Sequence, residues 1–386
     1  MRQKRKETLK TFFLKSNSTL KRAADNHKVG FWLYNYLFLP TVVGGFRLAD
    51  YKIGKMISSA YKRDLDKQLK HYMPDVLDNP KKRKRIEKDI VKSYFTDGMF
   101  PSEYMLYNFQ DQGYHERHEW LSDMDSNAML LSLSSEEAFN DTRNKARFYA
   151  IMKDYFHRQV CVISSETSME EFVHFALLHE KFIVKPMEGT TGNGTFIATV
   201  NNVSEAEELY IHLLSEGEWI AEELIRQHPD MAKWNPSSVN TLRIPTFRTN
   251  DGCRILQPFF RTGRKGAVVD NAGQGGVFAV FNPDTGIITT DGVDEYGGRY
   301  EQHPDSHLTF KGWQIPQYEQ LKKIAAELIH RMPMKQRYVG FDFALTQEGW
   351  VLVEGNSLGQ FVGQIAEQKG VRKQFMEYLK DEAYGI

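Results

Sequence analysis

The stretch GFDFALTQEGWVLVEGN, residues 340–356, limits the fold more than any other part of the chain. Two alternating apolar runs flank Thr346-Gln347-Glu348-Gly349, a pattern that predicts an antiparallel hairpin. With residues 347–349 as a three-residue loop, Thr346 faces Trp350 and Asp342 lies opposite Glu354. Side chains alternate along a strand, so Asn356 shares the face of Glu354. Like charges directly opposite on a ladder destabilise it. A divalent cation between the carboxylates, with the Asn356 carbonyl as third ligand, would reverse that penalty, and hard oxygens of this kind suit Mg²⁺. The same residues also read as solvated charges on an exposed sheet face.

The 386 residues allow a full core in two or three subdomains, and 50 Lys+Arg balance 50 Asp+Glu. Bulk charge therefore selects neither for nor against nucleic acid, and no nucleic-acid partner is expected. The bases are unevenly spread: residues 1–30 hold nine Lys/Arg against Glu7 and Asp25, and Lys81 to Arg85 is a second basic run. Cys161 and Cys253 can build no disulfide framework and lie in no metal-binding spacing, which points to a reducing, cytoplasmic setting. Thr11-Phe12-Phe13-Leu14, cut off by Lys15, is too short an apolar run for a cleavable signal peptide. Residues 29–46 carry no charge, but Asn35, Pro40 and three glycines argue against a spanning helix. Packing in a helical domain, or contact with the inner face of a membrane through residues 1–50, remains open for this segment.

Helical periodicity marks residues 51–72 and 81–95, a helix start at Pro101, and a helix over 141–156. A strand at 160–163 precedes a helix capped by Ser168, with Glu171 three residues on. Strands follow at 182–185 and 195–200, then a helix over 202–216 and a strand at 219–225. Beyond residue 239 strands dominate (239–247, 254–262, 275–281, 286–292), closed by a helix over 317–332, the hairpin, and a terminal helix from 372 to 383.

Within VKPMEGTTGNGT, a strand ends at Lys185-Pro186 and opens into Gly189, Thr190, Thr191, Gly192, Asn193 and Gly194. Glycines permit φ > 0 and leave amides free to wrap phosphate oxygens, while Lys185 adds a point charge. No Gly-Lys-Ser/Thr leads into a helix, so this is not a Walker loop; it also reads as a plain turn. WIAEELI, residues 219–225, suits a hinge whose backbone at Glu222, Glu223 and Leu224 could meet an adenine edge, or an amphipathic strand with exposed acids. Arg243, flanked by apolar residues, should be paired with a phosphate, a substrate carboxylate or a structural acid. Arg261 and Arg264 follow in FFRTGRKG, and Asn271 sits in the Gly-rich VVDNAGQGG. No Ser-His-Asp or Cys-His arrangement is evident, and Cys161 falls in an apolar strand.

The order of these signals resembles the ATP-grasp superfamily. Lys145 in NDTRNKARF, Lys185 in FIVKP, EGTTGNGT, AEELI, Asp342 in GFDFAL, and Glu354 with Asn356 in VEGN carry the likeness. FPSEYMLYNF, NPSSVNTLRI, VVDNAGQGGV and QHPDSHLTFKGWQIP make it similar to the sugar-transfer-associated branch, sometimes described as glutamate-ligase-related. The likeness spans about residues 90–370. It implies an α+β ATP-grasp fold: a mainly helical region over 1–125, a first lobe with the phosphate loop over 126–225, and a second lobe with the metal site over 226–386.

The resemblance also implies roles. Lys145, Lys185 and the loop from Gly189 to Gly194 would hold ATP phosphates, and Glu222, Glu223, Leu224 and His228 the nucleoside. Gln227, His228 and Asp230 are the nearest residues to a ribose contact. Asp342, Glu354 and Asn356 would bind Mg²⁺, as two ions, with Mn²⁺ suited to the same oxygens. Arg243, Arg261 and Asn271 would steady the transferred phosphoryl group, and His303 and Asp305 are candidates for substrate contact. The implied activity is a carboxylate–amine ligase acting through an acyl phosphate, on a small-molecule or glycan-linked carboxylate in cell-surface polysaccharide biosynthesis. A kinase acting on a hydroxyl and a non-catalytic nucleotide-binding module are the alternatives. A homodimer is compatible with the sequence.

Overall fold

The computed structural model describes residues 58–189, 194–249, 252–267, 270, 275–359 and 361–383. The expectations placed on residues 1–57, Thr190, Thr191, Gly192, Asn193 and Asn271 lie outside them. The chain forms two compact units, one from the described residues up to Glu136 with Thr249–Leu256 and Leu358–Ile386, the other from Glu137–Arg248 and Gln257–Ser357. Among the described residues no helix is long and apolar enough to cross a membrane.

The first unit is helical: α1 (Ser58–Tyr72), α2 (Pro74–Leu77), α3 (Pro80–Asp97), α4 (Pro101–Leu106), α5 (Tyr114–His118) and α6 (Asp123–Ser132). The basic run becomes the start of α3, where the Asn79 side chain accepts from the Lys82 amide and Pro80 occupies the first turn. Gly98, at φ +75°, ends that helix in the left-handed conformation. In α4 the buried Glu103 carboxyl accepts from the Phe100 amide at 2.8 Å and the Asp123 amide at 2.7 Å. The acid in FPSEYMLYNF is therefore an internal staple joining two helix starts.

The second unit opens with α7 (Glu136–Arg143) and α8 (Lys145–Met152). The single helix expected over 141–156 is split because Asn144 leaves the helical conformation and caps α8, accepting from the Arg147 amide at 3.0 Å. There follow β1 (Val160–Ile163), α9 (Met169–His179), β2 (Lys181–Pro186), β3 (Phe196–Thr199), α10 (Val203–Glu216) and β4 (Trp219–Glu223). Ser168 caps α9 as the sequence predicts, its hydroxyl accepting from the Glu171 amide at 3.1 Å. The strands pair antiparallel in the order β1-β4-β2-β3. Phe182, Val184 and Ala221 join Phe172, Phe175, Ala206 and Leu213 in one core. Strand alternation sends Lys185 and Glu222 to the opposite face.

The rest of this unit comprises α11 (Pro229–Ala232), β5 (Thr241–Thr249), β6 (Phe259–Thr262), β7 (Val277–Val280), β8 (Gly292–Val293), β9 (Arg299–Tyr300), α12 (Tyr318–Arg331), β10 (Tyr338–Thr346) and β11 (Gly349–Asn356). Their sheet runs β9-β8-β7-β6-β5-β10-β11. The strand expected over 254–262 is interrupted before Pro258, where Gln257 adopts φ +44°. The strand expected over 286–292 shrinks to isolated bridges at Ile287 and Ile288 and the short β8. Helix α12 buries Leu321, Ala325 and Leu328, and the buried Arg248 guanidinium donates to the Met332 carbonyl at 2.6 Å, satisfying a helix end.

The chain then re-enters the helical unit as α13 (Gly363–Glu367) and α14 (Arg372–Ala383). Gln364 accepts from the Leu121 amide at 2.9 Å and donates to its carbonyl at 2.8 Å, while Arg372 pairs with Asp125 at 2.9 Å.

One close approach positions Lys145 against the hairpin. A Cβ on Gly355 would stand 2.4 Å from Phe148 of α8, so only glycine lets the helix seat against β11 between Glu354 and Asn356. Gly355→Ala is expected to cost about 1–3 kcal/mol through overpacking, seen as an earlier urea transition. An unchanged transition would contradict this seating.

Candidate active site

The hairpin register decides what faces what. Next to the turn Thr346 pairs with Gly349 and Leu345 with Trp350, so the loop holds two residues rather than the expected three. Gly349, at φ +123°, takes the backbone angle that favours glycine. Phe343 pairs with Leu352, yet Asp342 pairs with Glu354, leaving Val353 as an extra residue in β11. The bulge restores the pairing that a three-residue loop would have given, and Asp342 does face Glu354.

Across β11, β10 and β5 the residues Glu354, Asp342 and Arg243 lie in direct register. Arg243 grips Asp342 with two donors, Nε to Oδ1 and Nη2 to Oδ2 at 2.8 Å. Gly340 makes room for this, since a Cβ there would lie 3.2 Å from the Arg243 Cδ. Arg261, on β6 opposite Thr241, places Nη2 2.8 Å from Asp342 Oδ2 and donates to the Thr241 hydroxyl at 2.8 and 2.9 Å. Asp270 completes the corner, accepting from the Thr241 amide at 3.0 Å. The partner of Arg243 is thus an acid of the protein.

Burial would push the Asp342 carboxyl up, but Arg243 and Arg261 outweigh it and hold it at about 2. Glu354 behaves oppositely: burial and the neighbouring Asp342 push it up, against the pull of Arg243. Its side chain keeps 42 % exposure, so solvent moderates that push. Asn356 donates to Glu354 Oε1 at 3.1 Å. Among the described residues no three His, Cys, Asp or Glu side chains form a metal cluster, so a cation here would draw its third oxygen from Asn356. Two carboxylates and an amide oxygen on one face fit a hard divalent cation, and its charge would cancel the repulsion that raises Glu354. Asp342 would share its oxygens between that cation and the arginines.

On the smaller sheet Glu222 is a buried counter-ion. Lys185 Nζ donates to its Oε1 at 2.7 Å, and Arg158 donates to Oε2 at 2.6 and 2.9 Å. Burial is again outweighed, here by Lys185 and Arg158, and Glu222 sits at about 2. Its backbone is paired with β1 and β2, so the expectation that Glu222 meets adenine is corrected: both its side chain and its strand position are already used. Glu223 is likewise bound, its amide donating to the Gln159 carbonyl at 3.0 Å. Leu224 is the first residue beyond the strand. Two cations around one carboxylate leave a net positive charge at Lys185.

Lys145, first residue of α8, donates to the Pro186 carbonyl at 2.9 Å and the Gly189 carbonyl at 3.4 Å. Burial lowers its pKa, Glu354 and Glu222 oppose that, and Lys185 reinforces it. One electrostatic neighbourhood therefore joins Lys145, Lys185, Glu222 and Glu354. The described ends of the Gly-rich loop take the positive φ that its glycines predict, +139° at Gly189 and +78° at Gly194.

Several sequence candidates have structural partners of their own. Gln227 donates to the carbonyls of Asn235 and Ser238 and accepts from Asn240, so NPSSVN is an internal network. His228 caps α11 through Nδ1 and Asp230 pairs with Lys233. His303 is buried, with Nδ1 facing the amides of Asp305 and Ser306 and Nε2 the Gly263 carbonyl at 3.0 Å. Asp305 is held by Arg264 at 3.0 Å and the Lys265 amide at 2.9 Å. The enclosure of His303 corrects the expectation of substrate contact there, while Asp305 stays part-exposed beside Arg264. Arg158 and Asp270 were not singled out by the sequence, because a lone Arg in FHRQV and an Asp beside Asn271 carry no local signal.

Residues 131–379 match the family described as sugar-transfer associated ATP-grasp. The chain belongs to that family. Similar solved structures include D-alanyl-alanine synthetase A from Vibrio cholerae, 14% identical, covering 67% of this chain and 70% of that one at a TM-score of 0.39. D-alanine-D-alanine ligase from Helicobacter pylori is 13% identical, with 69% and 70% covered at 0.40. The ATP-grasp ligase PsnB complexed with its minimal precursor is 13% identical, with 69% and 71% covered at 0.40. None of the curated proteins matches the chain.

Burial lowers the His303 pKa below its ordinary 6.5. The unfolded chain therefore takes up this proton first as pH falls, and stability that is complete above about pH 6.5 is lost below it. His303→Gln, which cannot be charged, is expected to flatten that slope in pH-dependent melting; an equally steep slope in the variant would contradict it.

Proposed function

We propose that this ATP-grasp protein is an ATP- and Mg²⁺-dependent carboxylate–amine ligase. It would join an amino acid or amine to a sugar acid or related carboxylate during cell-surface polysaccharide assembly. The observation that carries the reading is the row Glu354–Asp342–Arg243, flanked by Arg261, in one electrostatic neighbourhood with Lys145 and Lys185. Such a site offers cations for phosphate oxygens and acids for a metal, and supplies no nucleophile. The Cys161 thiol, buried and pushed up to about 12, is unsuited to that part.

In this reading Lys145, Lys185 and the loop from Gly189 to Gly194 hold the ATP phosphates, with the backbone at Leu224 and the nearby Glu223 and His228 toward the nucleoside. Asp342, Glu354 and Asn356 would hold Mg²⁺, which when bound neutralises and orients phosphate oxygens. A substrate carboxylate oxygen bonds to the γ-phosphorus as the bond to the bridging oxygen breaks and ADP leaves. Arg243 and Arg261, with Asn271, offset the charge on the acyl phosphate. The amine nitrogen then attacks the acyl carbon, phosphate departs with the bonding electrons, and the amine releases a proton. The chain's work is alignment and charge compensation. We place it in the cytoplasm, with residues 1–50 toward the inner face of the membrane.

The test is an ADP-release screen of amino acids and sugar acids, with mass spectrometry of the products. ADP release that needs both a carboxylate and an amine, with an amide formed, is expected. A stable phosphorylated product from a single hydroxyl substrate would make the protein a kinase and overturn the ligase reading. Asp342→Ala or Glu354→Ala should lower turnover by at least about 100-fold, and undiminished turnover in either would remove them from the site.

A further inference from the structure

The extra residue in β11 needs an explanation, because a bulge strips backbone groups of ladder partners. Arg158 supplies it. Its Nη1 donates to the Leu352 carbonyl at 2.6 Å and its Nη2 reaches the Val353 carbonyl at 3.3 Å, while Nε and Nη2 bind Glu222. The side chain is only 4 % exposed and lies over the Phe156 ring at 4.4 Å. Leu352 and Val353 are the two residues before Glu354. Were the near-turn pairing to continue, Val353 would stand opposite Asp342 and Glu354 opposite Phe341. A one-residue slip of that kind moves a side chain to the other face of the sheet, here the face of the buried Phe341 and Phe343.

We propose that Arg158 is the positioning residue for the acidic pair: by binding the carbonyls at the Val353 bulge, it turns Glu354 toward Asp342. Its second grip, on Glu222 beside Lys185, ties that bulge to the phosphate-facing sheet. One guanidinium thereby links the acid for a cation to the counter-ion of Lys185. Lysine at this position keeps a charge for Glu222 but has no planar fork with which to serve both partners.

This proposal rests on the nucleotide–cation reading above, and its test separates the two. A fluorescent ATP analogue is titrated into the full chain with and without Mg²⁺, for wild type and Arg158→Lys. The expected result is metal-free nucleotide affinity within about twofold of wild type. The Mg²⁺ concentration giving half-maximal tightening should rise roughly 10–100-fold, the range for residues that orient metal ligands. An unchanged Mg²⁺ midpoint in folded Arg158→Lys would overturn the proposal. Equal weakening of metal-free and metal-dependent binding would also overturn it, by assigning Arg158 to general folding. If Arg158→Lys does not reach the wild-type circular dichroism spectrum, Arg158→Gln replaces it; this variant leaves the Lys185–Glu222 pair in place and carries the same expectation. Wild type whose nucleotide binding ignores Mg²⁺ would overturn the underlying reading and this proposal with it.

Discussion

The ladder between β10 and β11 accommodates one extra residue at Val353, and every side chain beyond it faces the way it does because of that residue. Backbone pairing alone does not favour such an insertion, since unmet buried carbonyls cost about 1–3 kcal/mol each. The Arg158 guanidinium meets the Val353 carbonyl and, beside it, the Leu352 carbonyl on the open edge of the sheet. The bulge thereby places Glu354 opposite Asp342, Asn356 on the same face, and Gly355 under Phe148 on the other. Lys145 stands at the head of the helix that Phe148 seats. A local irregularity in one strand thus orders acids and bases that come from distant parts of the sequence.

Charge balance explains why the arrangement survives burial. Glu222 and Asp342 are each enclosed and each gripped by two cations, Lys185 with Arg158 and Arg243 with Arg261. Removing one partner of a buried pair costs about 3–5 kcal/mol, mostly by stranding the other charge. The doubling keeps both acids ionised, with positive charge in excess around Glu222, whereas Asp270 and Glu354 offset the two arginines around Asp342. Glu354 is the exception: part-exposed, facing another acid and pushed upward, it is the carboxylate with most to gain from a bound cation.

Features with a local signature were legible from sequence. Alternation and a Gly turn marked the hairpin; Ser168, Pro101 and the 372–383 periodicity marked helices that formed as expected. The Asp342–Glu354 pairing was legible too, although by a different route. A three-residue loop and a two-residue loop with a one-residue bulge bring the same residues together. Asn144 hid its helix break inside a continuous periodic pattern. What sequence could not show were the partners: Arg243 is satisfied by an acid 99 residues away, and Arg158 reaches Glu222 across 64 residues and Leu352 across 194. The acid-tipped WIAEELI illustrates the same limit. Its first acid looked free for a ligand, and only the fold shows it enclosed between two bases.

The central claim is that the facing acids of the hairpin hold a divalent cation beside a nucleotide. Anomalous diffraction from crystals grown with ADP and Mn²⁺ tests it most directly. The account predicts a manganese peak within bonding distance of Glu354 and Asp342, with the diphosphate on the Lys145 and Lys185 side. ADP bound there with manganese away from both carboxylates, or with the Arg243–Asp342 row buried from any ligand, would contradict it.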